Sequence, residues 1–556
     1  MRLDHLRIAG LALLFFVPFL GGVHLFDQGE VNSAESAREM LITGDYLRPQ
    51  MDYALVGEQP PFFIWLQTLS MTIFGVNEFA VRFPNVIAGL LTMLLAYHLG
   101  RRLHDRAFGW LWALAWLGSL LPHLYFRSGF VDPWFNLLFF TGLFGFVEFR
   151  WLFFTRFEGR SFWRRYRYLI IGGGLLGLAM LTQGPVAFLI ALLVLLVYWA
   201  RYKFRNRVFL YHLLLYSLAA FSVPALWLLA KLLVHGSGFI DTFFASQFWL
   251  IGSPDSSAGG FLGYQALVLL LGCFPVSVFA MPNLWGDRQP EEEVMESDTL
   301  ASCQRSDLTT WMQILFWTVF VLCTLAPTKF AHVSSLAFFP LTYLGTLSIW
   351  RALRWNVWPK IVAPALLLLG VLIGLIQMLM PIVGKNTHWL QGFFENDPYV
   401  QARLQVAVNW HWWQGLPGLL LAAASLAAWR LWLKKRPWLA AQTAFAGGAI
   451  FVAATLVLCI NNFERYTQLS TIEFYESKAG QNCIIIPVGF KTNAHLYYSQ
   501  KSPHLSTSTT TSNAVTTGEK KVYVVARQNN LKEIPVQLHC RELFRMDGMV
   551  YFECSK

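Results

Sequence analysis

A small set of residues in this sequence stands out chemically from its surroundings. Asp27 and Glu30, Glu58 and Gln59, Asp132, Gln183, and Lys329 with His332 all fall at the ends of long apolar runs. Cations and helix N-termini hold phosphate oxygens, whereas carboxylates hold hydroxyl groups or accept a proton. Together these residue types suit a lipid phosphate and a sugar held at one membrane face. Each also has a plainer reading. Asp132-Pro133 fits a helix cap followed by a first-turn proline. Thr182-Gln183-Gly184-Pro185 fits a turn between two spans, Lys329 a side chain reaching outward, and His332 an interface histidine.

The elements that must position these groups are read from composition. Of 556 residues 55% are hydrophobic and 13% charged, with a mean hydropathy of +0.45. That is a polytopic membrane protein and no soluble domain. The net charge of +11 does not point to nucleic acid, because the basic residues sit in short loops between spans. Seven cysteines without a Cys-x-x-Cys pair argue against a metal or redox framework, and no cofactor is expected. Arg2 and Arg7 precede an apolar run with no convincing cleavage site, so that run reads as a retained span.

Apolar runs of spanning length extend from 7–26 to 439–460 and number about thirteen, the shortest being 107–121 and 168–182. If the N-terminus lies inside, the inner gaps collect Arg101, Arg102 and Arg106, then Arg164, Arg165 and Arg167, then Lys434, Lys435 and Arg436. This positive-inside bias places the loops 27–65, 235–261 and 384–414 outside with the tail, and 286–307 inside. Ionisable residues inside the spans are few. Glu148 near an inner end and Lys231 near an outer end read as snorkelling side chains. Without charged groups at the midplane or an internal repeat, a transporter has little support. Gly173 and Gly177 read as close-packing positions.

Within the first outer loop, Val31, Ala34, Ala37, Met40 and Leu41 fall on one helical stripe, with Glu30, Glu35, Arg38 and Glu39 off it. Asn32 and Glu35 read as a capping box and Gly44 as the stop. A second helix starts at Pro60-Pro61, carries Phe62, Phe63, Trp65 and Leu66, and ends near Gly75. The pair predicts two amphipathic helices lying along the membrane surface. Beyond residue 462, the runs starting at Cys483, Val522 and Met549 read as strands, Asp547-Gly548 as a hairpin turn, and Ala494–Ser499 as helix. Ser502–Thr517 reads as a disordered Ser/Thr-rich linker. Cys540 and Cys554 flank the hairpin; an odd-length turn lets them pair, whereas a two-residue turn points them to opposite faces.

Over Ala34–Leu47 (AESAREMLITGDYL), Glu58–Pro61, Asn77–Pro84 (NEFAVRFP), Asp132–Asn136 (DPWFN), Leu181–Pro185 and Lys329–His332, the chain resembles the GT-C membrane glycosyltransferases. The nearest branch is the bacterial aminoarabinose transferase and protein O-mannosyltransferase-like group. The resemblance covers the spanning region and implies an all-α polytopic fold over residues 1–461, with its outer-face loop at 27–75; the strand pattern of 462–556 reads separately as a small α/β domain on the outer face. It implies transfer of a sugar, with inversion, from a polyprenyl-phosphate donor to a lipid, glycan or protein acceptor outside a bacterial cytoplasmic membrane. Among lipids and these substrates it leaves no place for nucleic acid. On this footing Asp132, Asp27 and Glu30 are the catalytic candidates. Glu58, Gln59, Gln183, Lys329 and His332 are the substrate-binding ones. The family reads Asp-Glu where this chain has Gly29-Glu30, and lysine where it has Gln59 and Gln183. A neutral glutamine holds phosphate roughly half as strongly as a charged donor. The resemblance therefore also admits a catalytically silent member that binds the lipid or serves as a partner subunit. Some members hold a metal with the glutamate matched by Glu58 and a later histidine; the 236–261 loop offers none beyond His235, so no metal is expected.

Overall fold

A computed structural model of the chain describes residues 2–26, 29–54, 60–156, 162–203, 210–238, 261, 263–286, 300–326, 329, 331–505, 521–534 and 539–555. Asp27, Glu58, Gln59 and most of the Ser/Thr-rich linker lie outside them. The order of elements begins with α1 (Arg2–Phe16), α2 (Glu30–Thr43), α3 (Phe62–Phe74), α4 (Glu78–Leu103) and the pair α5 (Arg106–Gly118) and α6 (Leu120–Phe126). There follow α7 (Asp132–Arg156), α8 (Phe162–Gln183), α9 (Val186–Arg201) and α10 (Leu210–His235). Next come α11 (Tyr264–Gly272), α12 (Val276–Ala280), α13 (Leu300–Leu325), the 3-10 turn His332–Ala337, α14 (Phe338–Trp355) and α15 (Val362–Lys385). The bundle closes with α16 (Leu416–Leu433) and α17 (Pro437–Leu458).

Long apolar stretches form helices here because a membrane offers no other partner for backbone N–H and C=O groups. Eight helices among the described residues are long and apolar enough to cross, or ten if each of two sharply bent pairs is one span. The expected span 107–121 is one bent pair, α5 and α6 turning by 75°, and the expected span 262–283 is the other, bent by 107°. The remaining expected spans are helices too, except that the 7–26 run is helical only to Phe16. However, α1 and α9 are only 15 and 16 residues long, and α8 opens on Arg164, Arg165 and Arg167. Packing of α8 against α10 depends on the small residues expected for it: a Cβ at Gly177 would stand 2.3 Å from the carbonyl oxygen of Ala220.

Glu148 is not a snorkelling side chain. It is paired with Arg102 of α4, as Asp4 of α1 is with Arg106 and Asp307 of α13 with Arg150. These pairs tie neighbouring helices together at one end of the bundle. Lys231 lies over the Trp227 ring at 5.3 Å.

The tail continues as α18 (Ile460–Thr467) and α19 (Leu469–Glu476), then β1 (Cys483–Val488), α20 (Ala494–Tyr498), β2 (Lys521–Arg527), β3 (His539–Met546) and β4 (Met549–Ser555). The strands form one sheet in the order β1-β2-β4-β3, with β1 parallel to β2 and the other pairs antiparallel. Asp547 and Gly548 both have positive φ, the conformation of a tight two-residue hairpin turn. Such a turn would put Cys540 and Cys554 on opposite faces, yet they are bonded. A bulge between Glu542 and Phe544 shifts the register by one residue and sets Cys540 opposite Cys554.

Two expectations for the first outer loop change. The helix α2 starts at Glu30, so Asn32 lies inside it and forms no capping box; Gly29 takes the cap position without a side-chain bond. Nor does α2 simply lie on the membrane. Its apolar residues Val31, Ala34, Ala37 and Met40 share a core with Ile485, Tyr523, Val525 and Tyr551 of the tail sheet. Its polar face is buried as well. Arg38 donates to Glu35 at 2.6 and 2.7 Å and to the Lys501 carbonyl at 3.1 Å, while the Tyr53 N–H donates to Glu39 at 3.0 Å. Asn493 of the tail donates to Asn32 at 2.9 Å. The expected limits of α3, Pro61 to Gly75, and the Gly44 stop are as read from sequence.

Candidate functional site

Asp132 opens α7 and is 3% exposed. Its Oδ1 accepts a hydrogen bond from the Ser335 hydroxyl at 2.9 Å. Gln183 and His332 lie near enough to act on its charge. Residues from the start of α7, the end of α8 and the 3-10 turn after α13 thus converge on one carboxylate. Gln183 is the last residue of α8, and Gly184 at φ +83° turns the chain toward α9.

The segment before Asp132 is held by α4. The Asn85 amide donates to the carbonyls of Ser128 and Phe130, both at 2.6 Å, and Trp134 Nε1 donates to the Pro84 carbonyl at 3.1 Å. Asn77 caps the same helix by accepting from the Ala80 N–H at 2.9 Å. One turn beyond Asp132, Asn136 falls on the same helix face. Its Oδ1 is buried and has no hydrogen-bond donor among the described residues.

Glu30 lies at the start of α2 and is 1% exposed. Arg82 Nε and Nη2 donate to its two oxygens at 3.1 and 2.7 Å, and the N–H groups of Phe26 and Gly129 donate as well. Burial pushes this carboxyl up, but the Arg82 charge and the two backbone donors outweigh it and hold it below its ordinary value. The other Arg82 donors reach the carbonyls of Leu20, Val23 and His24. Glu30 and Arg82 therefore join the segment after α1, α2, α4 and the Gly129 loop. Four protein donors thus engage the Glu30 oxygens.

Gly29 has ordinary helical φ of −76°, so backbone conformation does not demand glycine there. The demand is steric: a Cβ at Gly29 would stand 1.9 Å from Cε1 of Phe130. The half-buried Phe130 ring stacks on His332 with centroids 6.1 Å apart and planes 15° from parallel. Lys329 is turned elsewhere. Its ammonium donates to the carbonyls of Thr324 and Cys323, the latter at 3.4 Å, at the C-terminal end of α13.

Of the sequence candidates, the structure brings together Asp132, Gln183 and His332, sets Glu30 behind Gly129, and directs Lys329 to a helix end. Asp27, Glu58 and Gln59 fall outside the described residues. Sequence reasoning missed Ser335, Asn85, Arg82 and Phe130. An arginine inside an otherwise apolar span, as Arg82 is, signals a buried partner. No comparable signal marks Phe130.

The profile of the family described as dolichyl-phosphate-mannose-protein mannosyltransferase matches residues 58–227. An undecaprenyl phosphate-α-4-amino-4-deoxy-L-arabinose arabinosyl transferase of Proteus mirabilis is 27% identical over 300 residues, 51% of either chain. A transferase of the same description from Pseudomonas aeruginosa is 33% identical over 233 residues, 40% of either chain. The chain thus spans about half the length, or less, of these relatives. In structure it is similar to ArnT from Cupriavidus metallidurans bound to undecaprenyl phosphate, with a TM-score of 0.73 at 15% identity over 99% of this chain and 97% of that one. The apo oligosaccharyltransferase of Archaeoglobus fulgidus gives a TM-score of 0.50 at 13% identity, over 94% and 69%. Bundle, buried outer helices and tail sheet together have the fold of ArnT.

Proposed function

We propose that the protein moves a sugar from a polyprenyl-phosphate donor to an acceptor on the outer face of a bacterial cytoplasmic membrane, with inversion. The observation that carries this reading is the convergence of Gln183, His332 and Ser335 on the buried carboxylate of Asp132. An acceptor hydroxyl attacks the anomeric carbon as the bond to the lipid phosphate breaks. Asp132 receives or orients the hydroxyl proton, Gln183 donates to a phosphate oxygen, and Asn136 accepts from a sugar hydroxyl. Lys329 lends its charge to the same end of the bundle, while Glu30 and Arg82 hold the loop that carries Asp132. By resemblance, Asp27, Glu58 and Gln59 border this site. Asp132→Asn keeps the shape and the cap but removes the base, so transfer should fall by at least about 100-fold with lipid binding retained. Unchanged turnover would return Asp132 to a capping role.

A second reading has its own observation. Phe130 fills the room beside Gly29, and Glu30 is fully engaged, as in a protein that binds the lipid without transferring sugar. That reading expects native protein and Asp132→Asn to bind donor equally and both to be inert.

The orientation belongs to the same proposal: N-terminus inside, tail outside, from the basic loops. In variants keeping one accessible cysteine, an impermeant reagent on intact cells should label Lys521→Cys and spare native Cys303. The reverse pattern would invert every assignment of inner and outer face.

A further inference from the structure

The chain between α15 and α16 exposes aromatic side chains that neither the bundle nor the tail covers. Phe393 is 82% exposed and Trp412 73%, with Trp389 and Trp413 exposed beside them. At about 1.5 Å per residue, the 24 residues of α15 extend about 36 Å, beyond the roughly 30 Å of a hydrocarbon core. Lys385 at its end, and the aromatics that follow, therefore emerge at headgroup level. The exposed leucines of α15 and α16, among them Leu372, Leu379, Leu416 and Leu420, run directly into this aromatic group.

Behind the aromatic rim opens a cavity of about 330 Å³, lined by Lys385, Thr387, Gln405, Asn409, Trp410 and His411 among others. Its wall is built. Trp410 lies against Gly384, where a Cβ would stand 2.3 Å from its Nε1, and that Nε1 donates to the Tyr466 hydroxyl at 3.0 Å. Tyr466 in turn donates to the Gly384 carbonyl at 3.2 Å. On the far side the segment grips the tail: Asn529 donates to Asp397 at 2.7 Å, and Arg527 stacks over Tyr399 at 4.8 Å.

We propose that residues 384–415 form a phospholipid seat, with Trp389, Phe393, Trp412 and Trp413 inserted in the leaflet and a lipid phosphate received beside Lys385. Aromatic side chains with one polar edge prefer this depth, and an ammonium at the headgroup level matches phosphate. The continuity with two lipid-facing helices argues for lipid over a second protein. Through Asp397 and Tyr399 the seat sets the height of the tail sheet above the membrane.

The test uses the full chain in nanodiscs of phosphatidylethanolamine and phosphatidylglycerol, with Cys303→Ser. An environment-sensitive fluorophore on Phe393→Cys should be quenched several-fold more by lipid carrying a nitroxide near the headgroup than by an aqueous nitroxide. On Lys521→Cys the order should reverse. Strong aqueous quenching at 393, or protection from both quenchers as in a protein contact, would overturn the proposal. Lys385→Gln should lower retained phosphatidylglycerol, read by native mass spectrometry, at least threefold at an unchanged melting temperature; equal retention would also overturn it. Neither readout involves sugar transfer, so this proposal stands or falls apart from the transferase reading.

Discussion

Two carboxylates, Glu30 and Asp132, are buried to nearly the same depth near the same end of the bundle, and their partners differ in kind. Glu30 meets a guanidinium and two backbone N–H groups, and all its lone-pair directions point at protein. Asp132 accepts from a hydroxyl, with an amide and an imidazole near enough to act on its charge, none a permanent cation. The first arrangement neutralises the charge and fixes four chain segments. The second, under the proposed function, leaves a carboxylate to bind a ligand proton, one helical turn from an Asn136 oxygen that the described protein does not satisfy. Burial alone does not distinguish a structural acid from a reactive one; the charge and saturation of its partners do.

The comparison breaks most visibly at the ion pair. Glu30→Ala leaves Arg82 buried without its counter-charge, and should lower unfolding stability by about 3–5 kcal/mol. Thermal inactivation in detergent measures it, and a loss below about 1 kcal/mol would mean that Glu30 is not the anchor described here. A smaller effect is expected at Gly29. Gly29→Asp drives a side chain into Phe130 and should cost about 1–3 kcal/mol. Adding Phe130→Ala should relieve the clash, and in that double variant the new carboxylate should raise transfer above Phe130→Ala alone. Equal stability of the single and double variants would show that Phe130 does not exclude a side chain at 29.

A pH-dependent effect belongs to a third buried acid, Glu39, at the contact of α2 with the tail. Burial, and then the charge of Glu35, push its carboxyl up to about 8. Between its ordinary value and that point the folded chain holds a proton that the unfolded chain releases. Stability is therefore highest below about pH 4.5 for this group and declines as pH rises toward 8. Glu39→Gln should flatten that part of the pH-stability curve, and a slope unaltered by the change would remove Glu39 as its source.

Much of this was legible in the sequence because it is local. Apolar runs, the Gly44 and Gly75 stops, the tail strands and the Asp547-Gly548 turn each follow from neighbours a few residues apart. The choice of Asp132, Gln183 and His332 as one group came from a shared position at helix ends, and the same end of the bundle holds all three. What escaped was pairwise and distant. Nothing near Arg38 announces a carbonyl at Lys501, so the polar face of α2 read as solvent-facing. A single extra residue at the β3 bulge decides whether two cysteines meet, and period-two patterns do not reveal it. Phe130 reads as one more apolar residue until its ring is found in the space beside Gly29.

The position of α2 also bears on how such proteins can be inherited and rebuilt. One end of this helix holds the loop that carries Asp132, and its length is wrapped by the tail sheet. A tail exchanged with that of a relative would meet an unfamiliar α2, and the mismatch would be felt at the far end of the helix, at Glu30. The two parts therefore form a single heritable unit, although some 450 residues of chain separate them. Anyone grafting a new tail onto this bundle should move α2 with it.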